Sequence, residues 1–280
     1  MKPFLKWVGG KTQIIDTIIN NFPNEIQDYY EPFLGGGSTL LAALLSEKIK
    51  GQVFASDVNK NLINLYKEIQ NNCEQFISDV HLLETEYHYY SDTKDGNRKA
   101  TTLEDVDSRE SYYYFIRNQF NKNQDSAKFI FLNKVCFRGV YREGPNGFNV
   151  PYGNYKNVIV INDDHIRQVS HLISRVNFIH ASFEDVLENP KKGDFVYMDP
   201  PYVPINVSSF VGYTADGFNK HQQLFEKCNK IKCKWLMSNS DVPVVRNSFL
   251  NHPIEIVSCR RAINSKNPES RVNEVLVKNQ

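Results

Sequence analysis

Short apolar runs alternate with stretches of helical periodicity through the first and last parts of the chain. The runs are rich in branched and aromatic residues, as buried strands are, and occur at 52–56, 158–161, 176–180, 195–198, 234–240, 254–258 and 274–277. Apolar residues spaced three and four apart predict helices between them, as at 12–21 and 163–174. This alternation predicts an α/β fold with a parallel sheet, closed by the last two runs as a pair.

The pattern changes between residues 59 and 153. Helical periodicity, a polar segment, two further helical stretches and a β-hairpin with a Pro-Asn-Gly turn follow one another there, at 59–86, 91–108, 112–121, 127–134 and 136–151. The polar segment has no apolar period and is interpreted as a long loop or lid. We therefore predict that residues 59–153 form an inserted domain, and that 1–58 and 154–280 together form the sheet domain.

Composition narrows the class of protein. A hydrophobic content of 41% and a charged content of 23% over 280 residues are typical of a globular protein. No apolar run is long enough for a membrane span, and the first residues lack a signal-peptide core. Five cysteines without a Cys-x-x-Cys pair favour a reducing, cytoplasmic setting without a zinc site.

Charge is nearly balanced over the whole chain but not locally. The formal net charge is +1, so nucleic-acid binding would need a local basic surface. Such a surface is predicted between residues 128 and 157, where the only acid is Glu143 and the basic residues are Lys128, Lys134, Arg138, Arg142 and Lys156. Arginines and asparagines on a protruding hairpin suit base edges and phosphates, although an ordinary solvated hairpin remains possible.

The stretch Asp199-Pro200-Pro201-Tyr202 directly follows the run 195–198. Two prolines cannot continue a central strand, so the stretch lies at the carboxyl end of that strand, where α/β sheets bind ligands. The Asp199 carboxylate and the Pro200 carbonyl could accept both hydrogens of an exocyclic amine, with Tyr202 stacked on the ring that carries it. Taken alone, the motif favours an ordinary strand-ending turn with Asp199 as a cap and Tyr202 exposed, so the rest of the chain must decide between the two interpretations.

A glycine-rich turn at Gly35–Gly37 follows a predicted strand and precedes a helix at 38–47, with Ser38 as its cap. It resembles a nucleotide-binding turn but lacks the full G-x-G-x-x-G spacing. Asp57 ends the next strand, 20 residues past Gly37, and is positioned to bind ribose hydroxyls. Its alternative role is to cap the helix that begins near Asn59.

Two other segments could border a ligand. Gly9 and Gly10 allow close approach of the backbone, Lys11 could attract a carboxylate, and Trp7 could form an aromatic wall. Each also has an ordinary structural reading, Trp7 as a core anchor and Lys11 as a solvated helix residue. The loop 204–218, with Ser208, Ser209 and Tyr213, could close over a substrate.

With these segments in this order, the chain resembles DNA adenine-N6 methyltransferases of the Dam-like group, which are alpha-group amino methyltransferases with a DPPY motif. The resemblance is carried by residues 4–11, 31–37, 142–153, 199–202 and 260–274. It implies a seven-stranded, mainly parallel sheet of the S-adenosylmethionine-dependent methyltransferase type, with an antiparallel last pair of strands and an inserted helical plus β-hairpin DNA-recognition domain. The DPPY motif by itself also occurs in amino methyltransferases that act on RNA or protein.

The resemblance also implies roles for single residues. Binding of S-adenosylmethionine is implied for Trp7, Lys11, Phe33, Gly35, Gly37, Asp57 and Asp199, and catalysis for Asp199, Pro200 and Tyr202. Contact with DNA is implied for Lys6, Asn133, Arg138, Arg142 and Asn149, with Arg142 in the position of a guanine-reading arginine. No metal is implied. Arg138 and the hairpin tip 143–146 depart from the relatives' pattern.

The function expected from this resemblance is methyl transfer from S-adenosylmethionine to N6 of an adenine flipped out of duplex DNA, at GATC or a related short site. We expect a cytoplasmic monomer. An RNA or protein-glutamine methyltransferase and a non-catalytic DNA-binding module are the alternatives. The sequence leaves open the exact recognition site and whether a cognate restriction endonuclease is a partner.

Overall fold

The structure is a computed structural model, and it describes residues 1–92, 96–204, 219–260 and 271–279. The strands in this part of the chain are β1 (Tyr29–Glu31), β2 (Val53–Asp57), β3 (Glu143–Gly144), β4 (Gly147–Phe148), β5 (Val176–His180), β6 (Phe195–Met198), β7 (Lys234–Ser240), β8 (Ile254–Arg260) and β9 (Arg271–Lys278). Strands β3 and β4 form a small antiparallel hairpin, and the other seven form one sheet.

The sheet has the strand order β5-β2-β1-β6-β7-β9-β8. All pairs from β5 to β7 are parallel, whereas β9 runs antiparallel to both of its neighbours. The predicted fold, a mainly parallel seven-stranded sheet with an antiparallel pair at its end, is confirmed. All four residues of β6 are buried, as expected for a parallel strand that is covered on both faces.

The helices in the described ranges are α1 (Ile15–Asn20), α2 (Ser38–Leu45), α3 (Lys60–Asn71), α4 (Cys73–Tyr89), α5 (Arg109–Lys122), α6 (Ser126–Val135), α7 (Asp163–Leu172), α8 (Phe183–Val186), α9 (His221–Cys228) and α10 (Pro243–Ser248). Four of them begin at a side chain that accepts a backbone N–H from the first turn, namely Asn59, Ser108, Asp125 and Asn162. Such caps satisfy backbone donors that a helix leaves unpaired, so the sequence sets these starting points locally.

Two local predictions were wrong. The apolar run 158–161 is not a strand: the Val158 carbonyl accepts from His88, and the Val160 N–H donates to Glu84, so the run is held by side chains of α4 rather than by the sheet. Ser38 does not cap α2, because Gly37 occupies the cap position with a φ of 68°. The Ser38 hydroxyl instead accepts the backbone N–H of Lys11 at 3.1 Å.

The paired part of the hairpin is shorter than predicted, and the polar segment is partly ordered as a turn. Only β3 and β4 pair as strands within 136–151, and the part before them forms a 3₁₀ turn at Phe137–Gly139. The polar segment 91–108 contains a second 3₁₀ turn at Leu103–Asp105. The Ser111 hydroxyl in the first turn of α5 donates a hydrogen bond to the Asn97 carbonyl at 2.9 Å, so the polar segment packs on this turn.

The helical insertion and the sheet share a hydrophobic core. Helix α3 packs against β2 and β5 on one side and against α6 on the other. One continuous cluster of buried side chains includes Leu40 and Tyr197 from the sheet region together with Phe131 and Phe148 from the insertion. The boundary between the two domains at residue 59 therefore remains a prediction. Helix α3, which follows that boundary, packs against the sheet and against the insertion.

Candidate active site

A cavity lies where the strand order of the sheet reverses, between β1 and β6. Ligands in open α/β sheets bind at this point, outside the carboxyl ends of the strands. The cavity measures about 760 Å³. Its walls come from the N-terminal segment, the glycine turn after β1, the Asp-Pro-Pro-Tyr stretch after β6, strand β9 and the β3–β4 hairpin. None of the described residues of 91–108 lines it.

An ion pair between a buried lysine and a half-buried aspartate lies on the cavity wall. Lys11 Nζ is 2.7 Å from Asp199 Oδ2, and Lys11 is only 4% exposed. Lys11 Nζ also donates to the Gly9 carbonyl at 2.5 Å. Burial raises the pKa of Asp199 to about 6, while the neighbouring Lys11 ammonium opposes that shift. Lys11 is therefore not a solvated helix residue, since its charge is committed to Asp199.

The aromatic ring of Tyr202 lies in the same wall. Its hydroxyl donates to Glu274 Oε2 at 2.8 Å, and Lys11 Nζ is 5.0 Å from the ring centroid. Glu274 lies on β9, so this bond ties the catalytic candidate Tyr202 to the antiparallel strand at the end of the sheet. Sequence reasoning did not assign Glu274 a role, and only its proximity in the fold reveals one.

The backbone after Tyr202 is anchored by strand β7 and helix α9. The Val203 N–H donates to Asn239 Oδ1 at 3.1 Å, and the Ser240 hydroxyl donates to the Val203 carbonyl at 2.5 Å. His221 Nε2 donates to the Pro201 carbonyl at 2.9 Å. These contacts fix the end of the Asp-Pro-Pro-Tyr stretch, as a preorganised site requires.

The glycine turn and Asp57 form a second wall. The Gly35 N–H donates to Asp57 Oδ2 at 3.0 Å, and the Asn59 N–H donates to Oδ1 at 2.9 Å. Asn59 itself caps α3, so Asp57 is not the helix cap. Gly35 and Gly37 have φ values of 49° and 68°, which side chains other than glycine rarely adopt. Burial raises the pKa of Asp57, while these backbone N–H groups oppose the shift.

Aromatic rings complete this wall. A Cβ atom on Gly36 would lie 2.9 Å from Trp7 Cβ, so the turn packs directly on Trp7. Phe33 stacks on Phe183, with 5.5 Å between the ring centroids, and both rings line the cavity. The structure thus brings the seven residues predicted to bind the cofactor into one region. Six of them line the cavity, and Gly37 lies behind its wall, against Tyr66.

Glu31 is a cavity residue that sequence reasoning missed. It is 2% exposed, and the Tyr29 hydroxyl donates to its Oε2 at 2.6 Å. Burial raises the pKa of Glu31 to about 8, although the bond from Tyr29 opposes the shift. The available signal was an acid at the end of a buried strand, immediately before the glycine turn.

The predicted DNA-contacting residues Lys6 and Asn133 meet each other. The Lys6 N–H donates to Asn133 Oδ1 at 3.0 Å, and Asn133 Nδ2 donates to the Lys6 carbonyl at 2.7 Å. Asn133 is 3% exposed, so its amide is occupied by backbone groups and is not available to DNA in this conformation. Its position in the structure is that of a clamp between the N-terminal segment and α6.

Arg142 and Asn149 also act as a pair. Arg142 Nε donates to Asn149 Oδ1 at 2.6 Å, and its Nη2 donates to the Asn149 carbonyl at 3.3 Å. Both side chains are exposed. One edge of the guanidinium is thereby held by the hairpin itself, which orients the remaining N–H donors.

Arg138 lies in the 3₁₀ turn with a φ of 58°, a left-handed conformation that is uncommon for a residue with a side chain. Its N–H donates to the Tyr155 hydroxyl at 2.9 Å. The adjacent Phe137 is 48% exposed, and the Arg138 guanidinium lies 5.2 Å from its ring centroid. An exposed aromatic ring beside an arginine is a feature that sequence reasoning overlooked.

Two predicted elements fall outside the described residues. They are the substrate-covering loop from residue 205 to 218, with Ser208, Ser209 and Tyr213, and residues 261–270 of the segment 260–274 that carries part of the family resemblance. No helix in the described ranges is both long and apolar enough to cross a membrane.

The seven-stranded sheet with this strand order, and with a cavity at its switch point, has the fold of the S-adenosylmethionine-dependent methyltransferases. Comparison with protein families then identifies the class of substrate. The chain belongs to the D12 class N6 adenine-specific DNA methyltransferases, whose family model matches residues 7–263. The prediction of an adenine-specific DNA methyltransferase is confirmed.

Individual relatives agree with this family over nearly their whole lengths. The chain is 36% identical to the type II methyltransferase M.MjaIII of Methanocaldococcus jannaschii, covering 100% of this chain and 99% of that protein. It is 32% identical to a DNA adenine methylase of Haemophilus influenzae, covering 97% and 90%. It is 31% identical to the retron Ec67 DNA adenine methylase of Escherichia coli, covering 97% and 88%.

Proposed function

We propose that this enzyme transfers the methyl group of S-adenosylmethionine to N6 of an adenine that is flipped out of duplex DNA, within GATC or a related short site. The observation that carries the proposal is the Asp199 carboxylate, held by Lys11 at 2.7 Å on the wall of the cavity, beside Pro200 and Tyr202. This arrangement offers acceptors and an aromatic ring at one point, which is what recognition of an aromatic amine requires.

The cavity suits S-adenosylmethionine in size and in charge. Its volume of about 760 Å³ lies within the usual range for small-molecule sites. Asp57, with two backbone N–H bonds, keeps lone pairs for ribose hydroxyls. Asp57 and Asp199 place carboxylates beside a ligand that carries positive charge on its sulfonium and amino groups. When bound, this ligand supplies the activated methyl group.

The chain's own residues activate the amine by accepting its hydrogens. The amine lone pair of adenine is delocalised into the ring and is a poor nucleophile. Ionised Asp199 and the Pro200 carbonyl accept the two N–H hydrogens, which favours tetrahedral nitrogen and frees the lone pair for attack. Because Lys11 and the anchored backbone hold these acceptors in place, little reorganisation is needed during the reaction.

An adenine inside a duplex cannot reach this cavity, so the base must leave the stack. Flipping costs roughly a few kcal/mol, which stacking on Tyr202 and contacts to DNA offset. Phe137 is exposed beside Arg138 on the 3₁₀ turn Phe137–Gly139, and an exposed apolar ring is suited to fill the space that the base leaves.

Reading of the site is assigned to the hairpin. Arg142 presents a guanidinium whose Nε edge is held by Asn149, leaving donors in a fixed orientation for the O6 and N7 acceptors of guanine. The GATC assignment comes from the resemblance to Dam-like enzymes, in which this position reads a guanine.

The test is modification-sensitive long-read sequencing of plasmid DNA from cells that express the enzyme, its Asp199→Ala variant, or Asp16→Ala as a control at an exposed acid on α1. We expect N6-methyladenine in one short motif with the wild type and with Asp16→Ala, and none with Asp199→Ala. Methylation by Asp199→Ala at the wild-type level would refute the role of Asp199. Absence of modified adenine in all samples would refute DNA as the substrate.

A further inference from the structure

The cavity is closed on one side by the recognition part of the chain. Tyr141 and Glu143 from the hairpin line it, together with Gln124 from the connection between α5 and α6. A ligand in the cavity therefore touches the sheet domain and the DNA-reading insertion at the same time.

Tyr141 lies between the cavity wall and the core of the hairpin. Its ring stacks on Trp7, with 5.6 Å between centroids and 26° between planes. Its other side contacts Phe129 and Phe148 at 5.6 and 5.7 Å. Its hydroxyl donates to Glu143, and the residue is buried. The ring is therefore packed against Trp7 and against two aromatic rings of the insertion.

Trp7 connects this ring to the cofactor wall. A Cβ atom on Gly35 would lie 3.1 Å from the Trp7 indole, and one on Gly36 would lie 2.9 Å from Trp7 Cβ. On the hairpin side, Tyr141 is followed directly by Arg142. The continuous contact path therefore runs from the glycine turn through Trp7 and Tyr141 to the proposed guanine reader.

We infer that Tyr141 is a positioning residue that couples occupancy of the cofactor cavity to base reading by Arg142. The inference rests on the proposed function. A cofactor packed against Trp7 and Tyr141 restricts the hairpin before DNA binds, so DNA loses less conformational freedom when it binds second. By linkage, target DNA must strengthen cofactor binding by the same factor.

The experiment measures this factor by calorimetric titration of the enzyme with S-adenosylhomocysteine, first without DNA and then with a saturating amount of target duplex. The target duplex is unmethylated and contains the motif that plasmid sequencing identifies as the site of methylation. We expect the target duplex to tighten binding of S-adenosylhomocysteine by about fivefold or more, and a scrambled duplex to leave it unchanged. Tyr141→Phe keeps the ring and should keep the effect, whereas Tyr141→Leu should abolish it. Phe148→Leu is the matched control, because that ring packs on Tyr141 but does not line the cavity.

Each outcome has one meaning. A coupling factor in Tyr141→Leu equal to that of the wild type would overturn the role of Tyr141, as would equal losses in Tyr141→Leu and Phe148→Leu. If Tyr141→Leu does not fold, Tyr141→Met provides the same test with a more adaptable side chain. A wild-type enzyme that methylates DNA but shows no coupling overturns this inference alone, whereas one that neither binds S-adenosylhomocysteine nor methylates DNA overturns the proposed function.

Discussion

Replacing Lys11 by methionine should move the pH range in which the enzyme works. Lys11 Nζ lies 2.7 Å from Asp199, whose pKa of about 6 already reflects its burial. A hydrogen bond to a charged group contributes about 1.5–3 kcal/mol, and one pKa unit corresponds to about 1.4 kcal/mol. Loss of Lys11 should therefore raise the pKa of Asp199 by about 1–2 units, to about 7–8.

The variant should therefore lose kcat/KM near neutral pH and regain it at alkaline pH. The carboxylate accepts hydrogen bonds only when ionised, so kcat/KM of the wild type should fall as the pH drops through about 6. In Lys11→Met the ionised fraction of Asp199 at pH 7 falls about two- to tenfold and recovers by about pH 9.

The assay is kcat/KM for methylation of a target duplex between about pH 5.5 and pH 9.5, the range that brackets both expected limbs. Lys50→Met serves as the control, because Lys50 is an exposed cation remote from the cavity lining. An acid limb that stays at the wild-type pH, with a loss of activity that is uniform across the range, would show that Lys11 serves cofactor binding and does not tune Asp199.

Three further predictions concern Glu31, the Arg142 pair and Arg138. Burial raises the pKa of Glu31 to about 8, so above about pH 5 the folded state keeps a proton that the unfolded state has lost. The free energy of unfolding should therefore fall as the pH rises from about 5 to 8, by at most about 1.4 kcal/mol per pH unit. Glu31→Gln should flatten this slope in urea unfolding at pH 6 and 8, and parallel slopes would contradict the assignment. Arg142→Ala should reduce discrimination at one base pair by about 1–3 kcal/mol, with a smaller loss for Asn149→Ala, as measured by methylation of single-substitution duplexes. Equal losses on all duplexes would make Arg142 a phosphate contact. Arg138→Gly should relieve left-handed strain and stabilise the fold by about 1 kcal/mol in thermal unfolding while weakening DNA binding; a destabilised variant would argue against strain at this turn.

The parts of the fold that follow local rules were predictable from the sequence. The Asp-Pro-Pro-Tyr stretch had to end its strand because proline cannot continue a central strand. Gly35–Gly37 and Asp57 were predicted to border one ligand, the first as a turn after a strand and the second at the end of the next strand, and Gly35 donates to Asp57 at 3.0 Å. In both cases the strand and the turn that follows it decide where the residue lies.

Features that depend on contacts between distant segments were not predictable. Glu274 meets Tyr202 across 72 positions of the chain, and Lys6 meets Asn133 across 127. The run 158–161 has strand-like composition, but its polar backbone groups are bonded by side chains of α4, so tertiary contacts decide its structure. The raised pKa of Glu31 results mainly from its burial, which the sequence alone does not show.

The shared hydrophobic cluster limits how this enzyme can change its target. Phe131 and Phe148 of the insertion and Tyr197 of the sheet region belong to one packed core, and α3 contacts both sides. A recognition segment transplanted from a relative would replace half of that core and leave mismatched cavities and overlaps, each costing about 1–3 kcal/mol. New specificities should therefore arise by substitutions on the exposed hairpin face, around Arg138 and Arg142, and not by exchange of the insertion as a cassette.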